Sequence, residues 1–505
     1  MREGGDLSAP DRGARARDLA VAGDLSGAIA LLQAAPADQV AGHRNMLAQL
    51  LVAAEHHEEA LAVRLAQAEA EPGVAAHQHN VAARLGDMGR AVEAEAAVRR
   101  AFALGGDAPE TWLVLARALQ GQDRHDEAEA AFAETLKRRS DYLDALVDQS
   151  QLIWMRTGDA ERAREPLNAA IARAPNRPDL YAARAKLDRF TGASPEVIHR
   201  DLTASPVAAS GLIELAAAHA ALGFDRDRAL AHARAALAQT PGDPAAIQQL
   251  VEIHLARNEP AAALALLDPL LAQRPTDQQA IAFRHTAWRL AGDPRALTPA
   301  DYAAVVAGHI IDTPPGWETL DAYLADLARA LAPLHGLTEH PVGQSLRHGT
   351  QTSVDLRHSD DPAIRAFFTA IDGPIRRHMA MLGQGDDPLR RRNTGDYRLA
   401  GCWSVRLRPG GFHMPHFHSK GWLSSACHIE LPSAVEGEGR EGWLAFGSPP
   451  FEIGAFEGVQ PLPPDHYEKP SPGRLVLFPS YMWHGTVPFS GTETRLTIAF
   501  DVVPA

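Results

Sequence analysis

Cysteine is almost missing from this chain: its 505 residues include two, Cys402 and Cys427. Two thiols at that separation form neither a disulfide framework nor a zinc-ligand pattern, which points to a reducing compartment. The chain also lacks any apolar run near the ~18 residues that a membrane-spanning helix requires. Its opening, MREGGDLSAPDRG, has no apolar stretch of the secretory kind. Together these absences predict a cytoplasmic protein with no membrane segment. Positive charge is in deficit as well, with 49 Lys and Arg against 63 Asp and Glu and a formal net charge of -14. A general nucleic-acid or anionic-membrane surface needs the opposite sign. The one basic run, Arg390-Arg391-Arg392, reads as a solvated loop. What remains is a soluble globular composition, 46% apolar and 22% charged, in a chain too long for one ordinary core.

What the sequence does have is a period. A small residue that lets two helices approach recurs at Ala28, Ala60, Ala94, Ala128, Ala163, Ala229 and Ala263, at intervals of 32, 34, 34, 35, 66 and 34. Twelve residues after four of these alanines come Pro72, Pro175, Pro241 and Pro275, where a second helix should stop. The clearest unit is 109–142, with Trp112, Leu115, Ala116, Leu119, Ala128 and Phe132 at the spacings of a tetratricopeptide repeat. The 66-residue interval holds one weaker unit around 181–199. Residues from about 12 to 290 thus resemble six to eight such repeats, a stack of helix pairs with a concave groove. Arrays of this kind bind peptides or partner proteins, or serve only to assemble the chain.

Beyond the Gly/Pro-rich stretch at 292–299 the pattern changes. Leu320, Leu324, Leu327 and Leu331 fall at helical spacing. A further helix is signalled by Asp361-Pro362 as cap and first turn, with Ile364, Phe367, Phe368, Ile371 and Ile375 on one face and Gly373-Pro374 predicting a kink or an interruption. From Gly401 the period becomes two. Strands are expected at 402–408, 426–431, 442–446, 474–478 and 494–503, and an antiparallel sheet closed into a barrel or jelly roll is the economical fold. The Gly/Pro-rich insertion at 443–467, including Pro449-Pro450, Pro461 and Pro463-Pro464, reads as a lid or rim.

This second region concentrates histidine. His413, His416, His418 and His428 lie within sixteen residues, and His484 and Arg495 answer them. On an extended segment residues i and i+2 share a face, so His416 and His418 project together, and neutral imidazole is a good ligand for iron, zinc, copper or nickel. His484 follows a buried-strand run, 472–483, that returns a third histidine to the same mouth. Arg495 and Thr497 share a face of the last strand, and a guanidinium aimed inward there calls for an anionic partner such as a carboxylate.

These runs carry a resemblance. His416-Phe417-His418 with Gly421-Trp422-Leu423-Ser424-Ser425, Phe478-Pro479-Ser480 with Trp483-His484-Gly485, and 495–501 are similar to the double-stranded β-helix of 2-oxoglutarate/iron(II)-dependent oxygenases. More specifically, they resemble bacterial members often fused to tetratricopeptide repeats. The likeness covers about 341–504 and includes the runs 343–352 and 401–407. The resemblance implies that His416, His418 and His484 hold Fe(II), and that Arg495, assisted by Thr497, binds the distal carboxylate of 2-oxoglutarate. It makes Ser424, Trp422 and Arg406 further pocket candidates, with O₂ as oxidant and a hydroxylated product. His418 stands where most of the superfamily has a carboxylate, which leaves the site one unit more positive and argues against halogenation. His413 and Glu430 are spare ligand candidates.

The expected architecture is therefore multidomain. It comprises an all-α tetratricopeptide-like solenoid over 1–297, a helical connector over 298–340, and a double-stranded β-helix (jelly-roll) domain with bracing helices over 341–505. The expected activity is a 2-oxoglutarate-dependent dioxygenase acting as a hydroxylase on a protein or peptide recruited by the repeats. Two other readings stand beside it. One is a three-histidine cupin-like dioxygenase that does not use 2-oxoglutarate, and the other is a non-catalytic repeat adaptor.

Overall fold

The computed structural model describes residues 8–454 and 462–505, in two compact units, Met1–Ala145 and Leu146–Ala505. In the first unit eight helices run from Ala9–Val21 to His125–Arg138, each packed on the next. Ala28, Ala60, Ala94 and Ala128 are fully buried at the helix contacts. A larger side chain at any of them would overpack the pair, at a cost of about 1–3 kcal/mol.

The second unit continues the helix pairs and adds the sheets. Ala163, Ala229 and Ala263 are again fully buried, and the weak repeat is a helix pair of its own, Pro178–Phe190 and Pro195–Thr203. Helices end at Ala70, Arg173, Gln239 and Gln273, each two residues before one of the spaced prolines. The ring of a proline clashes with a helical conformation at the residue before it, which sets these ends. The last helix of the series is Gln278–Ala291, closed by Gly292 in the left-handed conformation.

Nine strands follow: β1 Ala307–Ile310, β2 Leu346–Gln351, β3 Tyr397–His413, β4 Leu423–Glu430, β5 Leu444–Phe446, β6 His466–Glu468, β7 Arg474–Pro479, β8 His484–Thr486 and β9 Arg495–Pro504. They form a six-stranded sheet in the order β1-β7-β4-β9-β3-β2 and a three-stranded sheet β6-β5-β8, with every pair antiparallel. Each expected strand has its counterpart. β1, β2, β6 and β8 were not expected, and β1 comes from the segment read as a helical connector. Of the insertion read as a lid, β5 and β6 belong to the smaller sheet, while 455–461, with Pro461, lie outside the described residues.

The helix Leu320–Leu331 is capped by the Thr319 hydroxyl, which accepts from the Ala322 N–H. Of the kink or interruption expected at Gly373-Pro374, the interruption does not occur: Pro362–Leu382 is one helix with Pro374 inside it. Pro374 has no N–H for the Ala370 carbonyl, and that carbonyl accepts from the backbone N–H of Asp312 instead, at 2.9 Å. Gly373 leaves space beside the Asp312 side chain, since a Cβ there would lie 2.4 Å from Asp312 Oδ2.

Repeat helices and sheets share one core within the second unit, which runs from Val251 and Leu255 through Phe283 and Phe367 to Phe478 and Phe500. Trp483 links the two parts. Its indole N–H donates to Thr286 Oγ1 at 3.0 Å, and its ring lies 5.7 Å from that of Phe283. Burying a ring of this size contributes about 1.5–3 kcal/mol. At the other side of the same unit the Met155 carbonyl accepts from Thr338 and Glu339 N–H groups.

Candidate metal centre

Two backbone segments meet to build the centre. His416 and His484 form an isolated antiparallel bridge in which each N–H donates to the other's carbonyl at 2.9 Å. Their rings are thereby held 4.1 Å apart between centroids. Two residues on, the His418 N–H donates to the Ser480 carbonyl at 2.9 Å, which pins the end of the His-Phe-His segment to the turn after β7. Between them Phe417 faces the other way and meets Trp483 edge-on at 5.1 Å, so the alternation puts both imidazoles on one side. One ring nitrogen from each of His416, His418 and His484 comes within 4.8 Å of the others.

The outer nitrogens are all engaged. His416 Nδ1 lies 2.9 Å from the Met414 carbonyl and His484 Nδ1 lies 2.9 Å from the Met482 carbonyl. A carbonyl only accepts, so both Nδ1 atoms carry the proton and both Nε2 atoms keep their lone pairs. His418 Nδ1 lies 2.6 Å from Asp501 Oδ1, and Asp501 in turn accepts from Ser424 Oγ at 2.8 Å. This is the arrangement that orients metal-binding imidazoles: the far nitrogen held by a carbonyl or carboxylate, the near one free. Burial, together with the charge of neighbouring His418, pushes His416 down to about 3. Burial likewise holds His484 well below the usual histidine range, with His416 and His418 adding to the effect. Both are neutral near pH 7, as ligation requires. The donor set fits a first-row divalent metal.

The three rings line a cavity of about 750 Å³. Arg495 and Thr497 line it too, and both are buried. Burial pushes the Arg495 guanidinium down to about 10. Among the described residues no carboxylate pairs with it. One N–H reaches His428 Nδ1 at 3.3 Å, and Nε has no partner. A buried cation without an anion is costly, and an anionic group entering the cavity would relieve it. Trp403, Val405, Leu444 and Phe478 supply apolar wall.

The other sequence candidates fall elsewhere. Trp422 is buried with its N–H on the Leu389 carbonyl at 2.8 Å, and Ser424 bonds Ser480 and Asp501 behind His418. Arg406 follows Val405 on β3 and takes the opposite face. None of these three lines the cavity, which is reached from β4 by Ser425. His413 lines the cavity with Nδ1 3.0 Å from Ser345 Oγ, and Glu430 is exposed at the end of β4; neither joins the three-histidine cluster.

Three features went unread in the sequence. Ser345 Oγ lies 3.3 Å from His416 Nε2. Asp501 backs His418 and returns a negative charge to the centre at one remove. The repeat helices contribute Arg189, His219 and Glu252 to the cavity wall. No local pattern signals such long-range partners.

Comparisons with known proteins agree with this construction. Residues 401–501 match the family model described as "Putative 2OG-Fe(II) oxygenase", and residues 220–284 match the tetratricopeptide repeat model. The chain therefore carries a domain of the 2-oxoglutarate/Fe(II) oxygenase class together with tetratricopeptide repeats. Among solved structures it is similar to a tetratricopeptide repeat protein from Parabacteroides merdae ATCC 43184, at 17% identity and a TM-score of 0.34, over 48% of this chain and 98% of that one. It is also similar to a chain of the APC/C hetero-tetramer Cut9-Hcn1, at 14% identity and a TM-score of 0.31, over 54% of each chain. No curated protein matches it. No helix among the described residues is long and apolar enough to cross a membrane.

Proposed function

We propose that the protein is an Fe(II)- and 2-oxoglutarate-dependent dioxygenase that hydroxylates a protein or peptide held against its repeat helices. One observation carries the reading: three neutral imidazoles turn toward the same cavity that exposes a buried arginine lacking a carboxylate. His416, His418 and His484 would hold the metal through Nε2, and Arg495 with Thr497 would engage the distal carboxylate of the cosubstrate. When bound, the iron and 2-oxoglutarate supply O₂ activation, with oxidative decarboxylation to succinate and CO₂ coupled to hydroxylation of a C–H bond. The protein's part is to orient and to exclude water. Asp501 and two backbone carbonyls fix the imidazoles, and the apolar wall limits water beside them.

The two antiparallel sheets support a double-stranded β-helix for this domain, with 341–505 as its extent, 298–340 as connector and 1–297 as the repeat array. Two buried free cysteines support a cytoplasmic setting. Tetratricopeptide repeats favour a protein partner, and a cavity bounded by both parts favours that partner as substrate. The orphaned Arg495 weighs against a three-histidine dioxygenase that ignores 2-oxoglutarate, and intact ligands weigh against a non-catalytic adaptor. The test is anaerobic titration of Fe(II) and 2-oxoglutarate into the full chain, followed by the metal-to-ligand charge-transfer absorption. A band is expected in the wild type and not in His416→Ala or His484→Ala. Absence of the band in the wild type, or its survival in both variants, refutes the assignment.

A further inference from the structure

The cavity has a second cationic wall that the metal and cosubstrate do not use. Arg189, at the end of the helix Pro178–Phe190, and Arg347 on β2 both line it. Their guanidinium carbons stand 5.0 and 4.9 Å from the Phe190 ring. Arg347 donates from Nη1 to the carbonyls of Gln344 and Leu346, at 2.8 and 2.7 Å, which fixes its direction without neutralising it. Neither arginine forms an ion pair among the described residues. Arg189 is exposed and Arg347 half-buried, so both guanidiniums are open to a ligand. Burial, with the charge of Arg189 beside it, holds Arg347 below the usual arginine range.

Their one nearby counter-charge is weak. Glu252 on the helix Pro244–Ala256 makes its hydrogen bond to Gln249 rather than to Arg189, and burial pushes its carboxyl up to about 7. His219, on the same wall, is pushed down to about 4 by burial and by Arg189, and is neutral. In a chain of net charge -14 this wall has the opposite sign. It is also separate from Arg495: in the sheet, β3 lies between β9 and β2. Arg189, His219, Glu252 and Pro450 border a second cavity, of about 560 Å³, whose repeat-helix lining includes apolar Ile198, Leu212 and Leu215 beside Lys186 and Arg226. Arg189 therefore stands where a groove in the repeats meets the cavity of the three histidines, with Arg347 on the histidine side.

We propose that Arg189 and Arg347 form a substrate-recognition subsite for a carboxylate, and that the substrate is an acidic peptide segment whose apolar flank lies in the repeat groove. Two guanidiniums without an ion pair among the described residues, beside the repeat groove and the three histidines, match an anionic side chain or chain end between an apolar stretch and the reacting residue. A singly charged carboxylate suits a wall that also carries Glu252. This rests on the oxygenase reading for the word substrate, but the subsite itself can be tested without turnover.

The full chain is equilibrated with two synthetic libraries of random heptapeptides, one C-terminally amidated and one with free C-termini, and retained peptides are read by mass spectrometry. Wild type is expected to enrich carboxylate-bearing peptides about tenfold over neutral ones, the scale of one charge-assisted hydrogen-bond pair. Enrichment of Asp and Glu in the amidated library assigns a side-chain carboxylate; enrichment confined to the free-acid library assigns a chain end. The double variant Arg189→Gln/Arg347→Gln is expected to lose the preference while keeping the wild-type unfolding midpoint and charge-transfer band. No enrichment in either library, or equal enrichment in the variant, overturns the subsite. Failure of the band in wild type would overturn the oxygenase reading and leave the peptide result standing.

Discussion

Asp501 Oδ1 lies 2.6 Å from His418 Nδ1, so a carboxylate stands directly behind one of the three clustered histidines. The contact joins the last strand, β9, to the histidine segment 83 residues earlier. Ser424 and Ser480 complete it, 2.9 Å apart and with Ser424 also on Asp501. An imidazole backed by a carboxylate is a more basic ligand than one backed by a carbonyl. His418 thus recovers part of the anionic character of a carboxylate ligand while still presenting nitrogen.

Asp501→Asn should weaken the metal without unfolding the protein. The amide still accepts a hydrogen bond but brings no charge. The expected loss is about 10-fold in Fe(II) or Co(II) affinity, the low end for partners of this kind. Competition with a chelating dye measures it, and unchanged affinity would mean that the carboxylate does not tune the centre.

Arg495→Leu should leave metal binding intact and weaken 2-oxoglutarate. Losing a buried charge-assisted contact costs about 1.5–3 kcal/mol, or about 10- to 100-fold in dissociation constant. Removing a buried cation that has no carboxylate should also spare or raise the unfolding midpoint. Calorimetric titration of 2-oxoglutarate into the Mn(II)-loaded protein separates the two effects; a lost midpoint with unchanged affinity would make Arg495 structural.

How far the sequence could be read follows from the range of each interaction. The alanines that carry the repeat are local in origin and fall at buried helix contacts. Period two put His416 with His418 and Arg495 with Thr497 on shared faces, and the buried-strand run before His484 brought it toward the same mouth. Ser424 shows where this stops. Alternation along β4 says that Ser424 and Ser425 face opposite ways, but not which of them faces the cavity, and a one-residue change of register exchanges them. It is Ser425 that lines the wall. Asp501 behind His418, Ser345 beside His416 and the arginine pair on the repeat side depend on contacts made across the whole second unit, for which the chain carries no local period.

Acid should destabilise the fold through histidines that are buried neutral. His335 holds Thr350 Oγ1 and Ser404 Oγ at 2.9 and 3.0 Å, and burial, aided by Arg406, pushes it down to about 4. A group depressed from the ordinary ~6.5 of histidine binds its proton more readily in the unfolded chain, so stability is complete above pH ~6.5 and falls until about pH 4. His335→Gln keeps polar contacts without a titrating ring. It should lower the urea midpoint at pH 8 and flatten its decline between these limits; an unaltered slope would remove His335 as a source.

Gly485 should be irreplaceable for reasons of space rather than backbone conformation. It follows His484 in β8, and a Cβ built there would stand 2.7 Å from the His413 carbonyl oxygen and 3.3 Å from the Pro415 nitrogen. Both obstacles are backbone, so neither can rotate away. Gly485→Ala must instead push β8 from the histidine segment, and the His416–His484 bridge, with its two 2.9 Å hydrogen bonds, is the contact in the way. Overpacking of this kind costs about 1–3 kcal/mol. The displacement falls on the imidazole pair whose alignment the bridge maintains. The expected outcome is therefore a lowered unfolding midpoint together with loss of metal affinity that exceeds the stability loss, since a centre built from two clamped segments tolerates little separation. Parallel calorimetry and Co(II) absorption would read the two quantities; a variant that loses midpoint but binds Co(II) as the wild type does would show that the bridge is not what aligns the histidines.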